Sequence, residues 1–296
     1  MTNNFLFTRI FALLVALVFT VPLYAMDNKN INVQIIPKKI KQGDAILLML
    51  SSPDPIQRIL GEWRGKTFSF YREKNRAVFS SLIGIDLEEV PGKKTIILNI
   101  SDAKGNTSKM PFKFTVSKKD FPVQRLTLQP DMVFLSPKNL ARVKREKASV
   151  ERLWELSAME KQWKRTFIMP VRGNVLSPFG VRRFINNSPR SPHTGIDLKA
   201  RSGTPVRASS DGIVTMTSEL FFAGKAVFLD HGMGIITMYF HLSEIHVKEG
   251  EKVAQGQILG RVGQTGRASG PHLHWGVRIH GSRIDPLSLV HIFKNE

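Results

Sequence analysis

Between Asn32 and Ser117 the apolar residues come in short runs: Val33 to Ile36, Ala45 to Leu50, Thr67 to Tyr71, Ala77 to Leu82, Thr95 to Ile100 and Phe112 to Val116. Gly43, Pro53, Gly65, Pro91-Gly92 and Gly105 set them apart. Runs too short for helices and bounded by turn formers predict strands, and their spacing predicts an antiparallel, immunoglobulin-like β-sandwich over residues 26–125. Beyond Pro137 the period changes. Leu140, Val143, Val150, Leu153, Trp154, Met159 and Trp163 recur at helical spacing in a stretch without glycine or proline from Asn139 to Phe167, and Ser136-Pro137 is a start signal. This predicts an amphipathic helical connector within 126–166. Lys147 interrupts its apolar face, which favours packing on the protein over lying on a membrane. From Phe167 the short runs return: Gly173 to Pro178, Thr204 to Ala208, Gly212 to Thr217, Ala226 to Leu229, Gly234 to Phe240, Lys252-Val253, Ile258 to Val262 and His274 to Ile279. No segment there has a helical period, so residues 167–296 are expected to form a mainly antiparallel β domain with almost no helix.

Ahead of these domains, a polar start with Arg9, the apolar run Ile10 to Val21, Pro22 and the small residue Ala25 read as an export signal over residues 1–25. The run is shorter than the roughly 20 residues that span a bilayer as a helix. The expectation is therefore a periplasmic or cell-envelope protein with no membrane span in the mature chain. The absence of cysteine excludes disulfides, thiolate metal sites and a cysteine nucleophile. With 43 Lys and Arg against 24 Asp and Glu, the net charge is +19. A surface so basic attracts polyanions. Export makes nucleic acid an unsuitable partner and points to an anionic envelope.

Candidate chemistry is concentrated near the end of the chain. His272 and His274 are two apart in a run that continues Trp275, Gly276, Val277, Arg278, Ile279, and residues two apart on a strand share a face. A second cluster, His193-Thr-Gly-Ile-Asp197, adds an imidazole and a carboxylate in what reads as a glycine-containing turn. Nitrogen and carboxylate oxygen are the ligands of zinc, and a catalytic zinc takes three protein ligands and leaves a fourth position open. His231, His246, His280 and His291 read as structural or exposed, and Asp211 and Asp230, each just before or near a glycine, as turn formers. No serine sits in a nucleophile elbow.

The strings SPFGVRR (177–183), PHTGIDLKA (192–200), GTPVRASSDGIV (203–214), DHG (230–232), YFHL (239–242) and GQTGRASGPHLHWGVR (263–278) together resemble the lysostaphin-type zinc endopeptidases, which cut the peptide part of peptidoglycan. The resemblance implies that His193, Asp197 and His274 hold one zinc ion and that His241 and His272 are the two catalytic histidines. Spacing alone does not tell His272 from His274. The family usually carries an acidic residue two positions after the HxH pair, where this chain has Gly276. The implied reaction is zinc-dependent peptide hydrolysis, with one histidine relaying the proton of water to the leaving amine and the other steadying the oxyanion.

The expected function is thus an exported zinc endopeptidase of peptidoglycan cross-links or stem peptides, with peptidoglycan and an envelope regulatory protein as partners. Two rival expectations are a catalytically inactive family member that activates a cell-wall amidase and a basic envelope-binding adhesin working through the sandwich alone. A further expectation is that the mature chain is partly self-inhibited, the N-terminal region covering the groove until a partner or substrate displaces it: the helix around Val143 to Trp163 and the segment Phe184 to Ser191 are placed to reach the mouth of the zinc cleft, and Asn186 or Asn187 to offer an amide oxygen to the metal.

Overall fold

The computed structural model describes residues 30–73, 77–127, 135–164 and 166–293; the proposed export signal lies outside them. The first domain is a sandwich of two sheets. One runs in the order Asn32–Ile36, Ala45–Ser51, Val78–Gly84, Tyr71–Arg72, and the other Ile40–Lys41, Thr107–Ser117, Gly92–Asp102, Ile56–Trp63, Lys66–Ser69. Pairing is antiparallel except where Ile40–Lys41 runs parallel to Val116 and Ser117. The strand Ile56–Trp63 is absent from the pattern-based expectation. Only Ile59, Trp63 and half-buried Ile56 face the core there, between exposed Gln57, Arg58 and Glu62, so its alternation is weak.

The strand Ala45–Ser51 explains its own composition. AILLML is an unbroken apolar run because both faces are buried. Ile46, Leu48 and Leu50 point into the sandwich. Ala45 and Leu47 point the other way, into a core that also holds Leu82, Leu87, Phe179, Ile196, Trp275 and Ile284. The two domains therefore share one apolar core. Truncating a residue such as Leu47 or Leu82 to alanine costs about 2–5 kcal/mol, comparable with a domain's whole stability of ~5–15 kcal/mol. Around this seam Arg283 donates to Asp86 from its backbone N at 2.8 Å and from Nε at 3.0 Å, Arg182 pairs with Glu88 at 3.0 Å, and Lys119 pairs with Asp285 at 3.0 Å.

The connector departs from its pattern. The helix spans Pro137–Leu153, capped by Ser136, whose side chain accepts from Asn139 N. It stops ten residues before Trp163 because the following chain is bound elsewhere: Ser157 Oγ and Ala158 N donate to the Asp230 carboxylate at 2.6 and 2.7 Å, and Gln162 N donates to His231 O at 2.9 Å. Met159 is exposed, and Trp163 leaves the helical register to enter the shared core against Phe167 and the edge of Tyr71. Asp230 and Asp211 do more than form turns, since Asp211 also accepts from Lys164 N at 3.1 Å. No described helix is long and apolar enough to cross a membrane.

The second domain is built on a ten-stranded sheet in the order Val175–Ser177, Gly195–Lys199, His272–Ile279, Ile235–Ile245, Gly224–Asp230, Gly212–Leu220, Lys252–Val253. The remaining three join the same sheet off that path: Ile258–Val262 pairs with Ile235–Ile245 and with Pro205–Arg207, and Ser282–Ile284 adds to His272–Ile279. A separate three-stranded sheet joins Val123–Leu126, parallel, to the hairpin Arg182–Ile185 and Ser188–Pro189. Asn186 and Asn187, at φ 49° and 60°, are the two turn residues of that hairpin, the conformation that a type I′ turn requires. As expected of an almost wholly β domain, its described residues add one short helix, Pro286–His291, capped by Asp285 with proline in its first turn. Asp-Pro is a helix-start signal, but the six residues that follow are too few to show a period.

Candidate active site

Antiparallel register brings the two motifs together. Gly195–Lys199 is a strand, not the turn expected from its glycine, and it pairs with His272–Ile279 so that Asp197 lies opposite His274. His193, two residues before that strand, is fixed by reciprocal backbone bonds: its N donates to Val181 O at 3.0 Å and its O accepts from Gly180 N at 2.8 Å. As a result His193 Nε2, Asp197 Oδ1 and His274 Nδ1 converge, 3.0 Å between His193 and Asp197, 3.0 Å between the histidines and 2.9 Å between His274 and Asp197. These separations approach the edge of about 3.3 Å expected for a tetrahedron with ~2.0–2.1 Å bonds to nitrogen and oxygen.

The protons support a cation at this point. His193 Nδ1 lies 2.8 Å from Pro178 O, a carbonyl that can only accept, so Nδ1 carries the proton and Nε2 is a lone pair facing a carboxylate oxygen. Lone pairs held this close in a mostly buried site repel unless a positive ion lies among them. Without that ion, ring N–H groups of His193 and His274 would have to donate to Asp197 instead; burial opposes ionisation of the carboxyl, and such bonds would outweigh it and hold the group below the usual range. Burial lowers His274, which favours the neutral ring, against the raising effect that a proton shared with Asp197 would have. Among the described residues these three form the one group of His, Asp or Glu side chains arranged to hold a metal. The donor set of two neutral imidazoles and one carboxylate fits zinc.

His241 and His272 stand beside this group without belonging to it. Their ring centroids are 4.8 Å apart, and His272 Nε2 is 3.8 Å from Asp197 Oδ1. Each carries its proton on Nδ1, bonded to Thr265 O at 2.9 Å for His241 and Gly270 O at 2.8 Å for His272. Both Nε2 atoms are left as acceptors. Burial pushes His241 down to about 4, against the bond to Thr265. His241 also has φ 64°, a left-handed conformation uncommon outside glycine and concentrated at functional sites. Strict alternation would place His241 on the face opposite Phe240, which stacks on His274. The left-handed residue, with the register shift between Leu242 and Glu244, breaks that alternation.

Several supporting groups escaped the reading of motifs. The carbonyls of Pro178, Thr265 and Gly270 have no side-chain signature. Phe240 carries the stacking surface for His274, and it packs against the cluster of Leu220, Ala226, Phe228, Ile236 and Met238 on which Val150, Leu153 and Trp154 also pack. The connector thus reaches the site through that sheet face, not through a ligand. At Gly276 a Cβ would meet the Met238 methyl at 2.7 Å, so methionine fills the space that a side chain would occupy. His231 is fully buried, with Nδ1 2.7 Å from Asp211 O and Nε2 2.8 Å from Thr237 Oγ1, while His246 is exposed beside Glu244 at 2.9 Å. Both agree with a structural reading.

The model of Peptidase family M23 matches residues 191–286, which contain all five histidine and aspartate side chains of the site. A solved structure of a putative peptidase M23 from Pseudomonas aeruginosa superposes with a TM-score of 0.67 at 31% identity, over 85% of this chain and 95% of that one. The chain belongs to peptidase family M23. Among curated relatives, the DD-carboxypeptidase/endopeptidase Mpg of Neisseria meningitidis serogroup B is 44% identical over 116 residues, 39% of the M23 chain described here and 27% of the relative. Peptidoglycan DD-endopeptidase ShyA of Vibrio cholerae is 36% identical over 140 residues, 47% of this chain and 30% of its own. The matched stretches thus span less than a third of those two relatives.

Proposed function

We propose that this M23 protein is an exported zinc-dependent endopeptidase that hydrolyses peptide bonds of peptidoglycan cross-links or stem peptides. The observation that carries the reading is the convergence of three lone-pair donors at 2.9–3.0 Å beside two further imidazoles that present free Nε2 atoms. His193, Asp197 and His274 are assigned as the metal ligands, and His241 and His272 as the residues that move the proton and steady the oxyanion. Zinc, when bound, supplies Lewis acidity toward a scissile carbonyl and acidifies water. The chain's own part is positional. Carbonyl bonds keep His241 and His272 in one tautomer, so that an Nε2 accepts the proton of the attacking water and returns it to the leaving amine. The other imidazole steadies the oxyanion by donating from Nε2 a proton that it takes from solvent before the attack and keeps throughout.

The substrate class rests on the printed names of the relatives, a DD-carboxypeptidase/endopeptidase and a peptidoglycan DD-endopeptidase. The signal-like residues 1–25 and the +19 charge suit an anionic envelope. Within this reading residues 26–125 are a positioning sandwich, 126–166 a connector and 167–296 the peptidase domain. The inactive-activator alternative is less well supported, since such relatives lose metal ligands and this chain has all three. The test is to incubate the purified protein with peptidoglycan from several sources, analyse released fragments by mass spectrometry and measure zinc per chain. Stoichiometric zinc with new amine and carboxyl termini in the peptides supports the proposal. A zinc-free protein that releases nothing alone but speeds an amidase refutes it.

A further inference from the structure

Arginines lie on two segments that hold site residues: Arg183 and Arg190 on the hairpin after Val181, which binds the His193 backbone, and Arg267 just beyond Thr265, which binds His241. Arg183 and Arg190 face each other across the 182–190 hairpin. The pairing of Phe184 with Pro189 and of Ile185 with Ser188 continues outward to them, and Arg190 N donates to Arg183 O at 2.9 Å. Like charges directly opposite on neighbouring strands are destabilising. Arg182 turns toward the sandwich to meet Glu88 at 3.0 Å, so alternation along the strand sends Arg183 to the other face. Arg183 is half-buried, and its Nε is buried with no hydrogen-bond partner. The same segment carries Val181, whose carbonyl holds the backbone of His193.

Arg267 comes from the side of His241. It lies two residues after Thr265, the carbonyl that fixes His241, and its own N donates to Phe222 O at 2.9 Å. Gly266 between them has φ 71°, and a Cβ there would lie 2.3 Å from Gly224 N, so the loop is held tightly against its neighbour. The guanidinium of Arg267 sits 4.1 Å from the centroid of Phe222. Partial burial, and then the charges of Arg183 and Arg190, push it below the ordinary arginine range, with no carboxylate among the charges acting on it.

We propose that Arg183, Arg190 and Arg267 form a subsite for a free carboxylate of the peptide substrate next to the scissile bond, a specificity element resting on the endopeptidase reading above. Arg183 and Arg190, opposite each other on the hairpin, repel without an anion between them, and a carboxylate offers guanidinium groups bidentate, charge-assisted bonds in its place. The stacking on Phe222 holds Arg267 in position without using its N–H groups.

The probes are N-acetylated L-lysyl-D-alanyl-D-alanine and the same peptide ending in a carboxamide. Binding is read by isothermal titration of the zinc-loaded full chain carrying His241→Ala, which slows turnover during the measurement. The acid binds about tenfold or more tightly than the amide, the factor for a charge-assisted hydrogen bond of ~1.5–3 kcal/mol. Arg267→Gln or Arg190→Gln, the latter on the exposed strand of the hairpin, brings the acid down to the affinity of the amide and leaves the amide within twofold. Arg183→Gln behaves likewise where circular dichroism shows native structure. Failure to bind the acid, equal affinity for both peptides in the parent, or equal weakening of both in the arginine variants overturns the proposal. A wild-type chain that prefers the acid yet releases nothing from peptidoglycan instead refutes the endopeptidase reading.

Discussion

His241 and His272 stand with ring centroids 4.8 Å apart, and each holds its Nδ1 proton on a backbone carbonyl, Thr265 and Gly270 respectively. Neither ring is needed to complete the His193–Asp197–His274 group. His241→Ala and His272→Ala are therefore expected to keep near-stoichiometric zinc while kcat falls about 10²-fold or more, the scale for removing an acid–base or oxyanion group. Zinc analysis beside steady-state kinetics checks this. Loss of zinc in His272→Ala with retention in His274→Ala would reverse the assignment of the pair.

In the proposed assignment each of His193, Asp197 and His274 supplies one of three protein donors, and each sits about 3 Å from the other two. Replacing any one by alanine is expected to lose both metal and activity, because two remaining ligands hold zinc too weakly. Elemental analysis of the three dialysed variants is the measurement. One that retains full zinc and full turnover is removed from the ligand set.

At the seam between the domains Asp86 is buried and accepts from Arg283 through both its backbone and its guanidinium. Burial opposes its ionisation, but the Arg283 bonds outweigh this and hold its carboxyl below the usual range. A depressed carboxylate contributes stability above its unfolded value of ~3.9 and loses it as pH falls through the lower folded value. Asp86→Asn should thus destabilise the chain by ~3 kcal/mol at pH 7, on the scale for breaking a buried pair. Urea unfolding should show the gap from wild type closing below about pH 4. A gap that stays constant with pH would mean that the charge is immaterial.

Burial pushes His231 down to about 4, against the raising effects of its bond to Asp211 and the charges of Asp230 and Asp211. The unfolded chain binds this proton near pH 6.5 and the folded chain does not. Stability is then full above pH 6.5 and declines by roughly 3 kcal/mol toward pH 4. His280, also pushed by burial to about 4, adds to the same slope. Unfolding free energies at pH 7.5, 6, 5 and 4 are expected to fall more steeply for wild type than for His231→Gln. Parallel slopes would contradict the assignment.

The sequence by itself determined the mainly β architecture and the Ser136-Pro137 helix start, and it singled out the candidate residues of the site, because each rests on local information: alternation, turn residues, capping and motif strings. The end of the connector helix was not local. Helical spacing through Trp163 loses to the Asp230 carboxylate binding Ser157 and Ala158, and to a core that draws Trp163 in, and both partners lie about 70 residues away or across the seam. The apolar run Ala45–Leu50 announced a buried strand, but only the packed structure shows that its second face belongs to the other domain. Sequence could group His272 with His274 but could not rank them, since both side chains leave the same strand face. Tertiary structure separates them by pairing Asp197 opposite His274, and it brings His241 round through one left-handed residue that no alternation rule predicts.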